Sequence, residues 1–495
     1  MKLKEIFSGA DSGGAPGGVE VSGLAVDSRL VKPGDLFFAI AGAHTDGHLY
    51  IADAIARGAR AVVTERDCEG YGSERLPFIK VKDIHASLAV CVNAFYNCPS
   101  ARLEMVGVTG TNGKTTTSYL MESVWSLAGR RPGVIGTINY RINGETVSGS
   151  VNTTPHALLL QQLLNSMAEG GSQSALMEVS SHSLALKRVD GILFDAAVFT
   201  NLTRDHLDFH STPDEYFLAK RKLFEMLSSR ENPKKNRLAV LNGDDARCAQ
   251  IRQTLSRDVK VYTCGLGEKN DFRAENIVPR LEGVDFTLVA PEGKFDVSLK
   301  LWGPYNARNA LSAVACARGR GIAMETALEG VCALERVPGR MEAVREGQDF
   351  HVFVDFAHTD SALGEVLTAL SGFPHDRIYT VFGCGGERDR GKRGPMGTAA
   401  CSKSAHAFIT ADNPRREPLE RIFGDIESGL AAAGLSNYTV IPDRKEAVFR
   451  AIASARKGDI VLLAGKGHET VQILHDGPVS YSDYETARQA LKALK

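Results

Sequence analysis

The chain has 495 residues, with 43% hydrophobic and 24% charged side chains and a formal net charge of −1 at pH 7. At a typical ~150 residues per domain this length predicts about three domains, and the composition excludes a disordered chain. The balanced charge supplies no strong field that would attract nucleic acid or an anionic membrane.

The cysteine pattern and the amino-terminal sequence indicate the cellular compartment of the protein. The nine cysteines contain no C-x-x-C pair, which argues against a zinc ribbon or a thioredoxin motif and favours a reduced chain. The amino-terminal segment lacks an apolar signal sequence, and no run approaches the ~20 apolar residues of a membrane span. We therefore expect a cytoplasmic protein that does not insert into a membrane.

Residues 1–100 have the pattern of a small α/β domain. Apolar runs at 36–40 and 61–63 predict buried strands, and the segment 50–58 between them predicts a helix that ends at a glycine. A domain boundary is expected near Pro99, because proline interrupts the preceding apolar helix.

Two further α/β domains are expected, over 101–336 and 337–495. Apolar strand candidates alternate with helical stretches, which is typical of βαβ units in a mostly parallel sheet. The central candidates lie at 105–108, 174–179, 196–199 and 238–241. After an interruption at 337–340 the pattern resumes at 353–355, 378–382, 407–410 and 459–464, and predicts a Rossmann-like third domain.

A glycine loop with the sequence GTNGKTT at 110–116 joins a predicted strand to a predicted helix. The backbone N–H groups of such a loop, together with the helix N-terminus, can bind phosphate oxygens. Lys114 would place a charge on the β and γ phosphates, and the Thr115 hydroxyl would bind magnesium. The strict G-x-x-x-x-G-K-[ST] pattern fails because Val108 stands at its first glycine. The alternative interpretation is a glycine-rich turn with a surface lysine.

Polar side chains occur at the ends of two predicted strands. Glu178 lies at the end of the strand at 174–179, and His206 follows the strand at 196–199. Because the carboxyl ends of strands in such sheets face the ligand crevice, we expect both at the phosphate site. Strand-end side chains that are merely hydrogen-bonded are the alternative. Lys220 lies in an amphipathic helix, and the residues alone predict an exposed position on its surface.

These motifs together resemble the Mur ligases. The matching segments are GTNGKTT at 110–116, NTTP at 152–155, EVSSH at 178–182, FTNLTRDHLDFH at 199–210, AKRKLF at 219–224, GRME at 339–342, DFAHT at 355–359, FGCGGERDRGKR at 382–393, DNPR at 412–415 and GKGHE at 465–469. The resemblance covers all three predicted domains: a UDP-substrate-binding domain, a central ATP-binding domain and a carboxyl-terminal amino-acid-binding domain.

The resemblance implies an ATP-dependent amide ligase of peptidoglycan precursor synthesis. ATP would phosphorylate the D-glutamyl carboxylate of UDP-MurNAc-L-Ala-D-Glu, and the amine of a diamino acid would attack the acyl phosphate. The implied catalytic residues are Lys114, Glu178, His206 and Lys220. The implied ATP contacts are Gly110, Thr111, Asn112, Gly113, Lys114, Thr115, Thr116, Asn306, Asn309, Arg340 and Asp355. The implied Mg²⁺ ligands are Thr115, Glu178, His206 and Lys220, the last as its carbamate (N6-carboxylysine).

Two substrate sites are implied as well. Contacts to the UDP-linked dipeptide would come from Ser28, His44, Asn152, Thr153, Thr154, Ser180 and Arg188. Contacts to the amino acid would come from Arg388, Asp412, Asn413, Pro414, Arg415, Gly465 and Glu469. We expect meso-diaminopimelate as the amino acid, because the planar fork of Arg415 suits its distal carboxylate.

Three alternatives remain open. A ligase of the same family that adds L-lysine would use a similar site. A ligase like folylpolyglutamate synthetase shares the chemistry but lacks a UDP-binding first domain. A non-catalytic nucleotide-binding switch would not need the DNPR and GKGHE motifs. For the diaminopimelate-adding ligase we expect a monomer that binds no nucleic acid.

Overall fold

The computed structural model describes residues 1–9, 17–42, 45–67, 76–150, 152–206, 209–280 and 283–494. They form three successive α/β units, each built around its own sheet. The α/β class and the mostly parallel sheets that the sequence predicts are confirmed, while the domain boundaries at 100 and 336 stay predictions. No helix within these ranges is long and apolar enough to cross a membrane.

The first unit has a four-stranded parallel sheet in the order β1-β2-β3-β4. Its strands are β1 (Gly23–Ala25), β2 (Asp35–Phe38), β3 (Ala61–Thr64) and β4 (Phe78–Lys80), and its helices are α1 (Leu3–Ile6), α2 (Ile51–Ala56) and α3 (Ile84–Phe95). Helix α2 is shorter than predicted. A 3₁₀ turn precedes it, because the Asp46 carboxylate accepts a hydrogen bond from the backbone of His48 at 3.0 Å.

The central unit is built on an eleven-stranded sheet. Its strands are β5 (Glu104–Thr109), β6 (Pro132–Ile135), β7 (Asn139–Ile142), β8 (Glu145–Gly149), β9 (Ser174–Glu178), β10 (Ala196–Phe199), β11 (Leu238–Asn242), β12 (Lys260–Gly265), β13 (Phe272–Arg280), β14 (Gly283–Ala290) and β15 (Gly293–Leu299). Their order is β15-β14-β13-β12-β11-β10-β5-β9-β6-β7-β8. The middle of the sheet is parallel and both ends are antiparallel.

Helices cover both faces of the central sheet. They are α4 (Lys114–Leu127), α5 (Ala157–Glu169), α6 (Ser181–Ala185), α7 (Pro213–Ser228), α8 (Cys248–Thr254), α9 (Tyr305–Gly319) and α10 (Met324–Ala333). Val106 and Val108 of β5 pack with α4, α9 and α10, whereas Met105 packs on the other face with α5 and α7. Such two-faced burial explains the nearly continuous apolar strands in the sequence.

The third unit has a six-stranded sheet in the order β16-β17-β21-β18-β19-β20, parallel except for the β16–β17 pair. Its strands are β16 (Glu342–Ala343), β17 (His351–Asp355), β18 (Ile378–Phe382), β19 (His406–Ile409), β20 (Tyr438–Val440) and β21 (Ile460–Ala464). Its helices are α11 (Asp360–Ser371), α12 (Arg393–Lys403), α13 (Leu419–Ala432), α14 (Arg444–Ser454) and α15 (Asp483–Ala493). A separate hairpin, β22 (Val471–Leu474) and β23 (Gly477–Ser480), follows β21.

Candidate active site

The glycine loop lies between β5 and α4 and requires glycine at two positions. Gly110 and Gly113 have φ angles of 149° and 86°, where side chains are rarely tolerated. A Cβ on Gly113 would lie 2.4 Å from Oδ1 of Asn309. The Lys114 ammonium donates hydrogen bonds to the carbonyls of Gly110 and Thr111, at 2.9 and 2.8 Å. The loop is therefore preformed, with the lysine folded back over it.

Glu178 lies at the end of β9, directly beside the loop. Its side chain is 1% exposed. Oε2 accepts hydrogen bonds from the hydroxyls of Thr115 and Thr137, at 3.0 and 2.8 Å, and Oε1 accepts one from the Thr137 backbone at 2.9 Å. Three donors thus hold the buried carboxylate in one orientation, which compensates for its removal from water.

His206 follows β10 and lies near the same site. Burial lowers the pKa of His206 to about 3, against the attraction of the neighbouring Asp205 carboxylate. The Nε2 atom lies 3.4 Å from Oδ2 of Asp205, and the ring packs edge-on against His182 at 4.8 Å between centroids. At neutral pH the imidazole is therefore uncharged and has a lone pair for a ligand.

Lys220 is buried, so the exposed position that the residues predict is wrong. The side chain is 1% exposed and its ammonium donates a hydrogen bond to the carbonyl of Gly110 at 2.8 Å. The ammonium also lies 4.4 Å from the centre of the Tyr216 ring. Burial, followed by the charge of Lys114, lowers the pKa of Lys220 well below its usual value. The spacing of Lys220 from buried Tyr216 and Leu223, at i−4 and i+3, is the sequence signal that indicates its inward face.

The third unit reaches the phosphate loop through Arg340. Its Nη2 atom donates a hydrogen bond to the Thr115 hydroxyl at 3.3 Å, and its guanidinium lies 4.7 Å from the Phe356 ring centre. Asp355, at the end of β17, accepts hydrogen bonds from the backbones of Met341 and Ala357, at 2.7 and 2.8 Å. Burial raises the pKa of Asp355. Arg340 therefore contacts Thr115 of the central unit and Phe356 of its own unit.

Asn306 and Asn309 lie on α9 and form a hydrogen-bonded pair. Nδ2 of Asn309 donates to Oδ1 of Asn306 at 2.8 Å, and Nδ2 of Asn306 donates to the carbonyl of Trp302 at the same distance. The pair faces the loop, as the proximity of Asn309 to Gly113 shows.

The DNPR motif follows β19 and meets the GKGHE motif that follows β21. Nη1 of Arg415 donates a hydrogen bond to the Gly386 carbonyl at 2.7 Å, and burial together with nearby Arg388 lowers the pKa of Arg415. Nδ2 of Asn413 donates to Oε2 of Glu469 at 2.9 Å. The two strand-end motifs thus form one polar wall.

One cleft of about 1290 Å³ connects these parts. It is lined by these candidates: Thr111, Asn112, Gly113, Lys114, Thr115, Thr116, Asn152, Thr153, Ser180, Arg188, His206, Asn306, Asn309, Arg340, Asp355, Arg388, Asp412, Asn413, Arg415, Gly465 and Glu469. Of the other described candidates, Ser28, Gly110, Thr154, Glu178, Lys220 and Pro414 are not part of the cleft wall. His44 lies outside the described residues.

Thr154 and Ser28 also lie outside the cleft wall. Thr154 is buried, and its hydroxyl donates to the Glu178 carbonyl at 2.8 Å, while its own carbonyl accepts from Arg188 at 3.0 Å. Ser28 is buried in the first unit, where its hydrogen bond is the main cause of the lowered pKa of Asp53.

Sequence reasoning missed two residues of this region, Thr137 and Lys466. Thr137 holds Glu178 as described, and Lys466 lies behind the DNPR wall with no exposed surface. No local pattern marks Thr137, whereas Lys466 lies inside the GKGHE motif, which is the signal that could have indicated it. Within the described ranges no three His, Cys, Asp or Glu side chains are grouped to hold a metal ion by themselves.

Comparison with known proteins assigns all three units to one family. Residues 20–96 match the model described as "Mur ligase family, catalytic domain", residues 108–317 match "Mur ligase middle domain", and residues 339–467 match "Mur ligase, glutamate ligase domain". Together these segments cover most of the chain.

Full-length relatives agree. A protein of Geobacillus thermodenitrificans named UDP-N-acetylmuramoyl-L-alanyl-D-glutamate–2,6-diaminopimelate ligase is 42% identical over 99% of both chains. One of the same name from Solibacter usitatus is 45% identical over 96% of this chain and 94% of its own. A solved structure of a ligase with that name is 32% identical, with a TM-score of 0.69 over 100% of this chain and 99% of its own. The shared motifs, the three matched segments and this full-length similarity establish that the chain belongs to the Mur ligase family.

Proposed function

We propose that this chain is an ATP-dependent ligase that joins meso-diaminopimelate to the D-glutamyl carboxylate of UDP-MurNAc-L-Ala-D-Glu. One observation carries the proposal: a single cleft contains both the phosphate loop and the arginines of the third unit. Activation of an acid and attack by an amine must share one space, because an acyl phosphate that met water first would be hydrolysed. The names of the full-length relatives support the same reaction.

Lys114 and the loop backbone would hold the transferred phosphoryl group of ATP. Phosphoryl transfer depends mainly on positioning and on neutralising charge, and the Lys114 ammonium lies in the cleft wall for both purposes. Arg340, bonded to Thr115, would add a second cation from the third unit. Asn306, Asn309 and Asp355 would contact the nucleotide beyond the loop.

The residues around Thr115 fit a magnesium ion. The Thr115 hydroxyl and the Glu178 carboxylate are hard oxygen donors 3.0 Å apart, which suit Mg²⁺ together with substrate phosphates. The uncharged His206 ring could complete the set. Bound there, magnesium would neutralise charge on the phosphates.

Lys220 would act as its carbamate. Its lowered pKa leaves the amine uncharged at a higher fraction than in an ordinary lysine, and an uncharged amine can attack the carbon of CO₂. The ammonium first loses one proton. The neutral amine then forms an N–C bond to CO₂ as one C=O π bond opens, and a second proton leaves the nitrogen, so the cation becomes an anion. Such an anion suits a magnesium site and would be neutralised there by Lys114 and the metal.

The incoming amino acid would bind at the DNPR and GKGHE wall. Arg415 and Arg388 would pair with the distal carboxylate, with Asp412, Asn413 and Pro414 shaping the loop. Glu469 and the carbonyl of Gly465 would hold the distal ammonium. L-Lysine lacks that carboxylate and would leave the half-buried Arg415 without a carboxylate partner, which is the basis for preferring diaminopimelate.

The UDP-linked dipeptide would extend from the first unit into the central one. Ser28 and His44 would contact the UDP end, while Asn152, Thr153, Thr154, Ser180 and Arg188 would hold the muramyl peptide. We propose that one copy of the chain acts alone, because it carries candidates for every substrate site. We propose the cytoplasm as the location of the reaction, because ATP and nucleotide-linked substrates are supplied there.

The test is substrate-dependent phosphate release by the purified protein, with the product identified by mass. We expect phosphate only when ATP, UDP-MurNAc-L-Ala-D-Glu and diaminopimelate are all present, and a product larger than the UDP-dipeptide by one diaminopimelate residue. Equal use of L-lysine would favour the lysine-adding alternative. Release with a folate substrate, or with ATP alone, would contradict the proposal.

A further inference from the structure

The Lys466 side chain is fully buried behind the amino-acid wall. It lies in the loop after β21 and has no exposed surface. Its ammonium donates hydrogen bonds to Oε2 of Glu469 at 2.6 Å and Oδ1 of Asn413 at 3.0 Å, and lies 3.7 Å from Oδ1 of Asp412. Lys466 does not line the cleft, whereas these three neighbours do. Any effect of Lys466 on a ligand must therefore act through them.

Lys466 fixes which way the Asn413 amide points. Oδ1 of Asn413 accepts hydrogen bonds from Lys466 and from the backbone N–H of Ile473, the latter at 2.9 Å. With two donors on the oxygen, the amide nitrogen faces Glu469 and donates to its Oε2. A flipped amide would set its N–H₂ group against two donors and its oxygen against a carboxylate.

Lys466 also sets the orientation of Glu469. The ammonium of Lys466 and the amide of Asn413 both donate to Oε2 of Glu469. Within the described part of the chain Oε1 accepts no hydrogen bond, so it is the oxygen left for a ligand. Glu469 lines the cleft, and the protein uses only one of its two carboxylate oxygens within the described residues.

The charges around Lys466 support the same orientation of Asn413 and Glu469. Asp412 and Glu469 both contact Lys466, and Oδ1 of Asp412 is buried with no hydrogen-bond partner among the described residues. Lys466 is the cation between them. Without it, the two carboxylates would favour any ligand that supplies a lone ammonium. With Lys466 present, its ammonium already neutralises part of this negative charge. A ligand that offers both an ammonium and a carboxylate then gains more binding energy than one that offers an ammonium alone.

We propose that Lys466 is a positioning residue that sets specificity for an amino acid whose side chain ends in both an ammonium and a carboxylate. The proposal rests on the proposed function, since it assumes that Glu469 and Asn413 face the incoming amino acid. Lys466 orients Asn413 and Glu469, of which Glu469 would hold the distal ammonium. It also balances the charge of Asp412 and Glu469 against an ammonium-only side chain.

The test compares kcat and KM for diaminopimelate and L-lysine in the wild type and in Lys466→Met, which keeps the length of the side chain but not the charge. We expect the KM for diaminopimelate to rise about tenfold or more, as when a buried charged group loses its partner. The kcat and the KM for ATP should change less than about threefold, because the phosphate loop is untouched. The preference for diaminopimelate over L-lysine should fall about tenfold.

Lys234→Met is the matched control. Lys234 is also largely buried and ion-paired, with Nζ 2.9 Å from Asp195 and hydrogen-bonded to the Leu103 carbonyl, but it belongs to the central unit. We expect the Lys234→Met variant to be less stable than the wild type, while its KM values and amino-acid preference stay those of the wild type. A merely structural role for Lys466 would make the two variants behave alike.

A folded Lys466→Met with wild-type preference, or an equal loss for both amino acids, would overturn the role of Lys466. If that variant does not fold, the preference for diaminopimelate over L-lysine is measured instead in Lys466→Gln, which keeps an N–H donor without the charge. Failure of both to fold would show a structural requirement and would also overturn it. Failure of the wild type to use diaminopimelate would instead contradict the proposed function.

Discussion

The ammonium groups of Lys114 and Lys220 donate hydrogen bonds to the same oxygen, the Gly110 carbonyl, at 2.9 and 2.8 Å. Burial penalises both charges and lowers the pKa of each lysine. The nearby charge of Lys114 lowers the pKa of Lys220 further, well below its usual value. The phosphate loop therefore connects the lysine that would bind phosphate to the one that would take up CO₂.

We expect Lys114→Met to lose about 10²–10³ in kcat, the usual effect of removing one group that stabilises transition-state charge. The fold should persist, because within the described residues the ammonium donates hydrogen bonds only to two loop carbonyls. Steady-state phosphate release, with circular dichroism as the check on folding, measures this. Near-normal turnover would contradict the role assigned to the loop.

We expect Lys220→Ala to be almost inactive and to recover part of its activity with millimolar short carboxylic acids, which would replace the missing carbamate anion. The exposed Lys222 on the same helix provides the control: Lys222→Ala should keep full activity and show no response to acids.

The carbamate itself is observable. In ¹³C-labelled bicarbonate at neutral pH, the wild type should show a carbamate carbon signal that Lys220→Ala lacks. Lys114→Met should show a weaker signal, because loss of the neighbouring charge raises the pKa of Lys220 and leaves less uncharged amine. An unchanged signal in both variants would refute carbamylation at this position.

We expect Arg415→Ala to lose about 100-fold in kcat/KM for diaminopimelate and much less for L-lysine, because only the former offers a carboxylate to the guanidinium. The adjacent, exposed Arg416 is the control, and Arg416→Ala should keep the wild-type preference. An unchanged preference in Arg415→Ala would show that another group selects the amino acid.

The stability of the protein should fall as the pH drops from about 6.5 to about 4, in part through His468. Burial, with the charge of Arg340, lowers the pKa of His468 from 6.5 to about 4. Across this range the unfolded chain binds the proton more readily, so each pH unit costs up to about 1.4 kcal/mol of unfolding free energy. Urea denaturation of wild type and His468→Gln at pH 7 and pH 5 measures the effect.

The pH dependence should be smaller in His468→Gln than in the wild type. His475, which is 79% exposed at its side chain, is the control, and His475→Gln should show the wild-type slope. Parallel slopes for all three proteins would mean that His468 contributes nothing to the acid sensitivity.

The local sequence pattern predicted those structural features that depend on residues close together in the chain. The glycine loop, the strand-end position of Glu178 and the parallel middle of the central sheet follow from apolar runs and glycine spacing. The antiparallel strands β7, β8, β14 and β15 are not among the predicted strands, because they are partly exposed and lack a continuous apolar run.

Contacts between distant segments explain the rest. Lys220 is buried because α7 packs that face near a carbonyl 110 residues away, and a lysine in an amphipathic helix gives no sign of such a partner. Thr137 bonds to Glu178 41 residues later, and Lys466 bonds to Asn413 53 residues earlier. The resemblance to the family predicted a catalytic role for Lys220, whereas the residues alone predicted an exposed side chain.

The β22–β23 hairpin offers a route for altering substrate choice. It pairs with no strand of the third sheet, yet the carbonyl of Ile473 accepts from the Arg415 backbone at 3.0 Å and its N–H donates to Asn413. Gln472 donates to the Asp412 carbonyl at 2.7 Å. An engineer could therefore exchange this ten-residue segment between family members, keeping the core sequence constant, and reshape the amino-acid pocket while sparing the nucleotide machinery.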